Sequence, residues 1–189
     1  MPKPYIIGIA GGSASGKTTF SDALASALDT LNVKIIHMDG YFKPADQRPH
    51  TAAPITGKVY TDDNHPETVD LPQLKRDLAA DIAAGACDVL IVEGLLTLWD
   101  EDICARLDLK LFVECRTDER IVRRLKRNMT YGLSFDGIAG VYLDMVRYRH
   151  DEYVEPSKWK ADFILNGSNP SETALGMVAQ AVRLSVERR

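Results

Sequence analysis

Apolar and polar residues follow two periodicities along this chain, and the two kinds of segment alternate from the first residues to the last. Short, nearly continuous apolar runs are typical of strands buried on both faces of a sheet. They lie at 5–10, 33–38, 88–93, 107–114 and 161–166. Segments with apolar residues every three or four positions are typical of helices. They lie at 19–31, 70–84, 100–106, 117–130 and 138–154, and a last one begins after 169. This alternation predicts an α/β fold, a parallel sheet of about five strands with helices on both faces.

Capping signals place the ends of two of these helices. Asp70 is expected to be the N-cap of the second helix, with Pro72 early in its first turn and Gln73 completing a capping box. A similar start at 169–172 is expected to open the last helix. The stretch 41–66 contains four prolines and little periodicity. It is predicted to be a substrate-side loop with at most a short helix, because long irregular stretches in compact domains are usually functional.

The most informative stretch follows the first predicted strand and precedes the first predicted helix. Its spacing, Gly11, four residues, then Gly16-Lys17-Thr18, is that of a phosphate-binding P-loop. Backbone N–H groups of such a loop form a cradle for phosphate oxygens, and the positive end of the helix dipole points at the same place. Lys17 is expected to reach the β- and γ-phosphates, and the Thr18 hydroxyl to hold Mg²⁺. The sequence therefore predicts a site for a nucleoside triphosphate such as ATP, formed by Gly11, Gly12, Ser13, Ala14, Ser15, Gly16, Lys17, Thr18 and Thr19.

Two acidic residues end the next two predicted strands of the sheet. Asp39 follows the second strand, and Glu93 ends the third. Because ligands of parallel sheets bind beyond the carboxyl ends of the strands, both acids are expected beside the P-loop. Mg²⁺ takes few protein ligands, so Glu93 with Thr18 is the expected metal pair. Asp39 is the expected catalytic base, accepting the proton of an attacking hydroxyl. The alternative for each acid is an ordinary surface turn.

Arginines cluster on one side of the predicted helix 117–130, at Arg120, Arg123, Arg124 and Arg127. A solvated basic face is one interpretation. The P-loop favours another, in which the segment 117–140 is a mobile lid whose arginines neutralise charge during phosphoryl transfer. Arg124 and Arg127 are the expected catalytic pair.

Composition narrows the remaining possibilities. A length of 189 residues predicts a single domain, 1–189. The net charge of −4 argues against general nucleic-acid binding, and no apolar run is long enough to cross a membrane. Because Met1 to Pro4 lead directly into the first strand, no leader peptide is expected. Three cysteines in apolar surroundings favour a reduced, cytoplasmic protein. Its partner is expected to be a small molecule, and a homo-oligomer is left open.

Six motifs in order resemble the uridine kinase and phosphoribulokinase family. They lie at 11–19, 38–42, 65–70, 92–96, 123–127 and 154–162. The resemblance implies a P-loop kinase that uses ATP and Mg²⁺ to phosphorylate an alcohol, most simply the 5′-hydroxyl of a nucleoside. It also implies that Asp39 is the general base, that Thr18 and Glu93 attend the metal, and that Arg124 and Arg127 clamp phosphates.

Departures from that family leave the acceptor open. Asn64 stands where uridine kinases carry an aspartate that binds ribose hydroxyls. No room exists between Leu71 and Asp88 for the hairpin with which they recognise the pyrimidine. Residues 131–133 also replace an Arg-Gly-Arg of their lid. The segment 39–44 and the pair 148–149 are similar to nicotinamide riboside kinases, and a sugar or another alcohol remains an alternative acceptor.

The candidate acceptor-binding residues are Asp39, Tyr41, Phe42, Asn64 and His65. The aromatic rings could stack on a substrate ring and His65 could hydrogen-bond it. The alternative is that these side chains only pack the loop. A nucleotide-dependent regulatory protein is the hypothesis from another class, although the chain lacks the guanine-reading Asn-Lys-x-Asp of a GTPase.

Overall fold

The fold is built on a five-stranded parallel sheet, as the apolar runs predict. The structure, a computed structural model, describes residues 3–189, so Met1 and Pro2, part of the argument against a leader peptide, lie outside it. The strands are β1 (Tyr5–Gly11), β2 (Val33–His37), β3 (His50–Ala52), β4 (Val59–Thr61), β5 (Val89–Glu93), β6 (Leu109–Glu114) and β7 (Phe163–Asn166). The sheet has the order β2-β5-β1-β6-β7, and every neighbouring pair is parallel. The α/β prediction with about five strands is confirmed.

Helices cover both faces of this sheet. They are α1 (Lys17–Ala27), α2 (Leu71–Ala84), α3 (Glu101–Cys104), α4 (Thr117–Met129), α5 (Phe135–Val141), α6 (Arg147–Arg149) and α7 (Glu172–Glu187). On one face, Leu24 of α1 and Val182 of α7 pack against β1 and β5. On the other, Leu74 and Leu78 of α2 pack against alternate residues of the same strands. The central strands are buried from both sides, which explains why they are apolar throughout.

The two helix caps predicted from the sequence are observed in the structure, with one exception. The Asp70 carboxylate accepts a hydrogen bond from the Gln73 N–H at 3.0 Å, and Ser171 caps α7 in the same way. The Gln73 side chain, however, donates to Asp77 at 2.7 Å instead of returning to Asp70. The expected capping box is therefore only half formed, because an acceptor one turn along the helix competes for the amide.

The stretch 41–66 is more ordered than predicted. It contains the short 3₁₀ turn Ala45–Gln47 and an antiparallel hairpin in which β3 pairs with β4, from His50 opposite Thr61 to Ala52 opposite Val59. Each strand is three residues long, and only its middle residue is half-buried. Such short strands carry too little alternation to be recognised, so the prediction of an irregular loop was wrong here.

The predicted helix 138–154 is part of a longer helical segment, residues 135–160. Within it, π-helical turns span Tyr142–Val146 and His150–Val154, on either side of α6, and a 3₁₀ turn spans Glu155–Lys160. A π turn bonds residues five apart instead of four and often occurs at functional sites. This register changes which side chains share a face, a point that sequence periodicity does not reveal.

The cysteines of the described chain form no disulfide. Cys87, Cys104 and Cys115 are buried and free, and burial raises the pKa of Cys87 and Cys104. Within residues 3–189, no helix combines the length and the apolar character needed to cross a bilayer.

Candidate active site

The P-loop connects β1 to α1 and has a strained, cation-rich geometry. Ala14 has φ 64° and Gly16 has φ 100°, and Ala14 is the one non-glycine residue with a positive φ in the described chain. Lys17 is only 8% exposed and has no hydrogen-bond or ion-pair partner among residues 3–189. The Ser15 hydroxyl is buried and equally without a partner there. Strained backbone and a buried, unpaired cation both cost free energy, which an anionic ligand in the loop would offset.

Thr18 and Glu93 meet at the head of this loop. The Thr18 hydroxyl lies 3.2 and 3.3 Å from the two carboxylate oxygens of Glu93, which is 2% exposed. His37 Nδ1 lies 3.1 Å from the same carboxylate. Residues 3–189 contain no cluster of three or more His, Cys, Asp or Glu side chains placed to hold a metal. One hydroxyl and one carboxylate fit Mg²⁺, which keeps most of its waters and uses phosphate oxygens.

Asp39 lies in the 3₁₀ turn Met38–Tyr41, directly after β2. Because β5 lies between β1 and β2, Glu93 is flanked by the P-loop on one side and the Asp39 turn on the other. The Asp39 side chain is exposed, and its carboxylate has no hydrogen-bond or ion-pair partner in the described part of the chain. An acid in this position is free to accept a proton from a bound molecule.

Helix α4 brings two arginines to the P-loop, the half-buried Arg124 and the exposed Arg127. Arg124 Nη1 donates to Ser13 Oγ at 2.9 Å, and Arg127 Nη2 lies 3.4 Å from the same oxygen. Burial and the charge of Arg127 lower the pKa of Arg124. On the opposite side, Val122 and Met129 are about half exposed. The solvated basic face considered from the sequence is therefore wrong for Arg124, whose positive charge is held over the P-loop without a carboxylate partner.

Arg120, the most buried arginine of α4, lies behind the P-loop with His150. Its Nη1 lies 3.2 Å from His150 Nδ1, and His150 Nε2 lies 3.3 Å from Glu155. A side chain at Gly12 would collide with the Arg120 guanidinium, so the loop and the guanidinium are in direct contact. Burial and the Arg120 charge lower the pKa of His150 to about 4, which keeps its ring neutral.

A cavity of about 1080 Å³ opens beside the P-loop, between α1, β7 and the start of α7. Lys17 and Thr18 lie at its polar end, and Arg123 bonds the Gly167 carbonyl at 2.9 Å on its wall. Its apolar wall consists of Phe20, Ala23, Ile164, Leu165, Pro170 and Leu175. A cavity with cations at one end and apolar side chains at the other suits a molecule with a charged tail and a flat ring.

The aromatic candidates of the acceptor loop are engaged within the protein. The Tyr41 hydroxyl donates to Asp77 of α2 at 2.9 Å. Burial, and to a smaller extent this hydrogen bond, raises the pKa of Tyr41 to about 12. The Phe42 ring packs against the core with the Arg48 guanidinium 5.3 Å from its centroid. Both contacts match the packing alternative, and substrate stacking by these rings stays a prediction.

Asn64 and His65 are likewise held by local bonds. Asn64 is buried, and its N–H donates to Asp62 at 3.2 Å. His65 Nδ1 accepts from the Glu67 N–H at 3.2 Å, and its ring meets Tyr153 edge-on at 5.5 Å. Their predicted contacts with substrate remain untested.

Two residues of the site were missed by sequence reasoning, and a third was given no role of its own. His37 ends β2 two positions before Asp39, so the strand-end rule that selected Asp39 would also have selected it. Arg120 was named only as a member of the arginine cluster, one helical turn before Arg124. His150 has no local signal, because only the tertiary fold brings it to Gly12.

Comparison with known proteins decides the family. The phosphoribulokinase / uridine kinase family matches residues 54–174. The chain is 30% identical to a uridine kinase of Lactobacillus helveticus, covering 94% of this chain and 93% of that one. It is also 30% identical to a uridine kinase of Deinococcus deserti, covering 97% and 98%. The chain belongs to the phosphoribulokinase / uridine kinase family. The resemblance noted from six motifs is thereby confirmed.

Two solved structures have the same fold as this chain. A putative fructose transport system kinase from Silicibacter has a TM-score of 0.64 at 22% identity, covering 87% of this chain and 90% of that one. A possible uridine kinase from Bacillus stearothermophilus has a TM-score of 0.57 at 16% identity, covering 87% and 89%. At these identities the likeness concerns the fold alone. Fold and family together make this chain a P-loop kinase.

Proposed function

We propose that this chain transfers the γ-phosphoryl group of ATP to a hydroxyl of a small molecule, with the 5′-hydroxyl of a nucleoside as the first candidate. The observation that carries the proposal is one arrangement of charges. The buried Lys17 and the half-buried Arg124 have no anionic partner in the described chain, and the unpaired Asp39 carboxylate lies two strands away, beyond Glu93. Anion-binding groups beside a free base are what phosphoryl transfer to an alcohol requires.

The nucleotide would occupy the P-loop and the neighbouring cavity. Its phosphates would lie between the loop backbone and the side chains of Lys17, Arg124 and Arg127, and its base would lie against Ile164 and Leu165. Thr18 and Glu93 would hold Mg²⁺, which when bound offsets the charge of the phosphate oxygens.

Asp39 would accept the proton of the attacking hydroxyl. Its carboxylate is exposed and unpaired in the described chain, so nothing must be broken before it bonds an acceptor. The arginines of α4 would stabilise the charge on the transferred group, since each donates from a fixed position and needs no reorganisation.

The acceptor class rests on the curated relatives, which are uridine kinases. One observation favours a second candidate, a sugar or nicotinamide riboside. Helix α2 ends at Ala84 and β5 begins at Val89, so only residues 85–88 occupy the place where uridine kinases resembling this chain carry a pyrimidine-reading hairpin. The putative fructose transport system kinase from Silicibacter also shares the fold.

An acceptor screen tests the proposal. ADP release is measured with ATP and Mg²⁺ against uridine, cytidine, other nucleosides, nicotinamide riboside, fructose and ribose. A strong preference for one nucleoside supports the first candidate, and a preference for a sugar supports the second. Slow ATP hydrolysis that no alcohol stimulates would contradict both and favour a regulatory NTPase.

The Asp39→Asn variant tests the mechanism. We expect kcat to fall by about 10²- to 10⁴-fold, because a general base is lost, while the affinity for ATP is retained. Asp46→Asn, an exposed aspartate of the next 3₁₀ turn, is the matched control and should behave as wild type. An unchanged kcat in Asp39→Asn would remove Asp39 from the role of base.

A further inference from the structure

The β3–β4 hairpin is fastened to the helical segment 135–160 by two anchors. The first is Asp144, in the π turn Tyr142–Val146. Its Oδ2 accepts hydrogen bonds from the Tyr60 hydroxyl at 2.7 Å and the Thr56 hydroxyl at 3.1 Å. The outer strand and the turn of the hairpin therefore share one carboxylate on the helix.

The second anchor is Arg149, at the end of α6. Its Nε lies 2.7 Å from Oδ2 of Asp62, just after β4, and its Nη2 donates to Thr51 of β3 at 3.2 Å. The Asp62 side chain is 0% exposed and that of Arg149 is 15% exposed. Arg149 also pairs with Glu152, which is half exposed. Burial makes the Arg149–Asp62 pair costly to break, because without Arg149 the Asp62 carboxylate would be an uncompensated charge in the protein interior.

A π turn lies between the two anchors. Asp144 and Arg149 are five residues apart, which in a regular α-helix places them about 140° apart around the axis. The π turn Tyr142–Val146 covers the first part of this interval and α6 the rest, and the wider i→i+5 turn reduces that angle. The contacts of Asp144 with Tyr60 and of Arg149 with Thr51 show that both side chains reach the hairpin.

The anchored segment leads directly to the residues beside the phosphate site. The Asp62 carboxylate accepts a hydrogen bond from the Asn64 N–H, and the backbone carbonyl of Asp62 accepts one from the Thr68 hydroxyl. Both bonds fix the segment 62–68. Asp63 pairs with Arg48 at 2.9 Å, on the loop that follows Asp39. The Asp63 charge also acts on Arg124, where it opposes the lowering of the pKa by burial and Arg127. The Asp63–Arg48 pair thus joins residues 62–65 to the loop that follows Asp39.

We propose that Arg149 and Asp144 are positioning residues, which hold the hairpin and residues 62–65 as the acceptor-side wall of the active site. The inference rests on the proposed function. Neither residue needs to touch substrate. The Arg149–Asp62 pair sets where the wall lies relative to Asp39 and the P-loop, and small displacements of such a wall are costly because transfer requires close alignment.

The test separates positioning from stability with a charge-matched double variant. Arg149→Met alone leaves Asp62 buried and unpaired and is expected to lower Tm by about 10 °C. Asp62→Asn/Arg149→Met removes both charges and keeps an oxygen for the Asn64 N–H, so its Tm is expected within about 3 °C of wild type. The control pair is Lys34→Met/Asp81→Asn, which removes an exposed ion pair between β2 and α2.

In the double variant we expect KM for the acceptor to rise about ten-fold or more, with KM for ATP changed less than about two-fold. Arg149→Lys, which keeps the charge but not the fork that reaches Thr51, should give an intermediate KM. Hydrogen exchange of residues 50–61 should accelerate about ten-fold while that of the P-loop stays constant. The control pair should alter none of these quantities.

Two outcomes would overturn the inference. One is a double variant with wild-type exchange in the hairpin, and the other is faster exchange with an unchanged acceptor KM. A wild-type protein that phosphorylates no acceptor would refute the proposed function instead, while the exchange measurement would still decide whether the two anchors hold the hairpin.

Discussion

The phosphate side and the acceptor side of this site handle their charges in opposite ways. On the phosphate side, Lys17 is buried, Arg124 is half-buried, and neither has an anionic partner in the described chain. On the acceptor side, the buried Asp62 is matched by Arg149, and the more exposed Asp63 by Arg48. The cations of the phosphate side need a ligand to neutralise them. The two aspartates of the acceptor side are already neutralised by arginines of the same chain.

The difference shows what each side contributes. Unpaired buried cations lower stability in the absence of ligand and bind an anion strongly when one arrives. Paired charges add rigidity and leave the choice of acceptor to shape and to a few free groups such as Asp39. Substitutions on the two sides should therefore separate activity from stability.

The largest expected effect is at Lys17. Lys17→Met should lower kcat/KM by about 10³-fold, since a cation proposed to contact the transferred phosphoryl group is lost. Its Tm should stay equal or rise, because the variant no longer buries an unpaired charge. Steady-state kinetics and thermal melts check both parts. Lys126→Met, at an exposed position of α4, is the control, and a large fall of Tm in Lys17→Met would contradict the comparison.

A smaller loss is expected at Arg124. Arg124→Met should lower kcat by about 100-fold, the usual cost of removing one donor aimed at transition-state charge, with little change in Tm. The matched control is Arg116→Met, which removes an exposed arginine paired with Asp118 just before α4. Equal kinetics in the two variants would show that α4 carries no phosphate-binding arginine at this position.

His150 predicts a pH dependence of stability behind the P-loop. Because its pKa falls from 6.5 in the unfolded chain to about 4 in the fold, the unfolded chain binds the proton first as the pH drops. Stability is therefore lost with falling pH, by about 2 kcal/mol between about pH 8 and pH 5. Arg120, Glu155 and Asp151 are the charged groups around the ring.

Urea unfolding of His150→Asn at both pH values measures this contribution. The variant should lose about 2 kcal/mol less than wild type over that range. His50→Asn, at an exposed position, should keep the pH dependence of stability seen in wild type. If His150→Asn kept it as well, His150 would not be the source of that dependence.

The smallest expected effect is at Tyr41. Tyr41→Phe removes the hydrogen bond to Asp77 and should lower the free energy of unfolding by about 1 kcal/mol. Chemical denaturation measures the change, and Tyr131→Phe, whose side chain is largely exposed, should show none. A Tyr41→Phe variant as stable as wild type would mean that the contact with α2 adds nothing to stability.

Much of the fold followed from the sequence because its signals are local. The apolar runs of β1, β5 and β6, the Asp70 cap and the P-loop spacing each depend on a few consecutive residues. The strand-end rule then grouped the P-loop, Asp39 and Glu93 correctly, because parallel strands bring their carboxyl ends to one edge. The β3–β4 hairpin escaped, since its strands are too short to show a period.

The sequence by itself determined the chemistry of the phosphate side. Glycines, a lysine, a threonine and acids at fixed spacings specify a nucleotide site, because loop geometry and helix polarity follow directly from them. Only the tertiary structure decided which face of α4 is buried, that Asp62 belongs to Arg149, and that His150 lies against the P-loop. Each of these depends on contacts between residues far apart in the chain, which leave no periodic trace in the sequence.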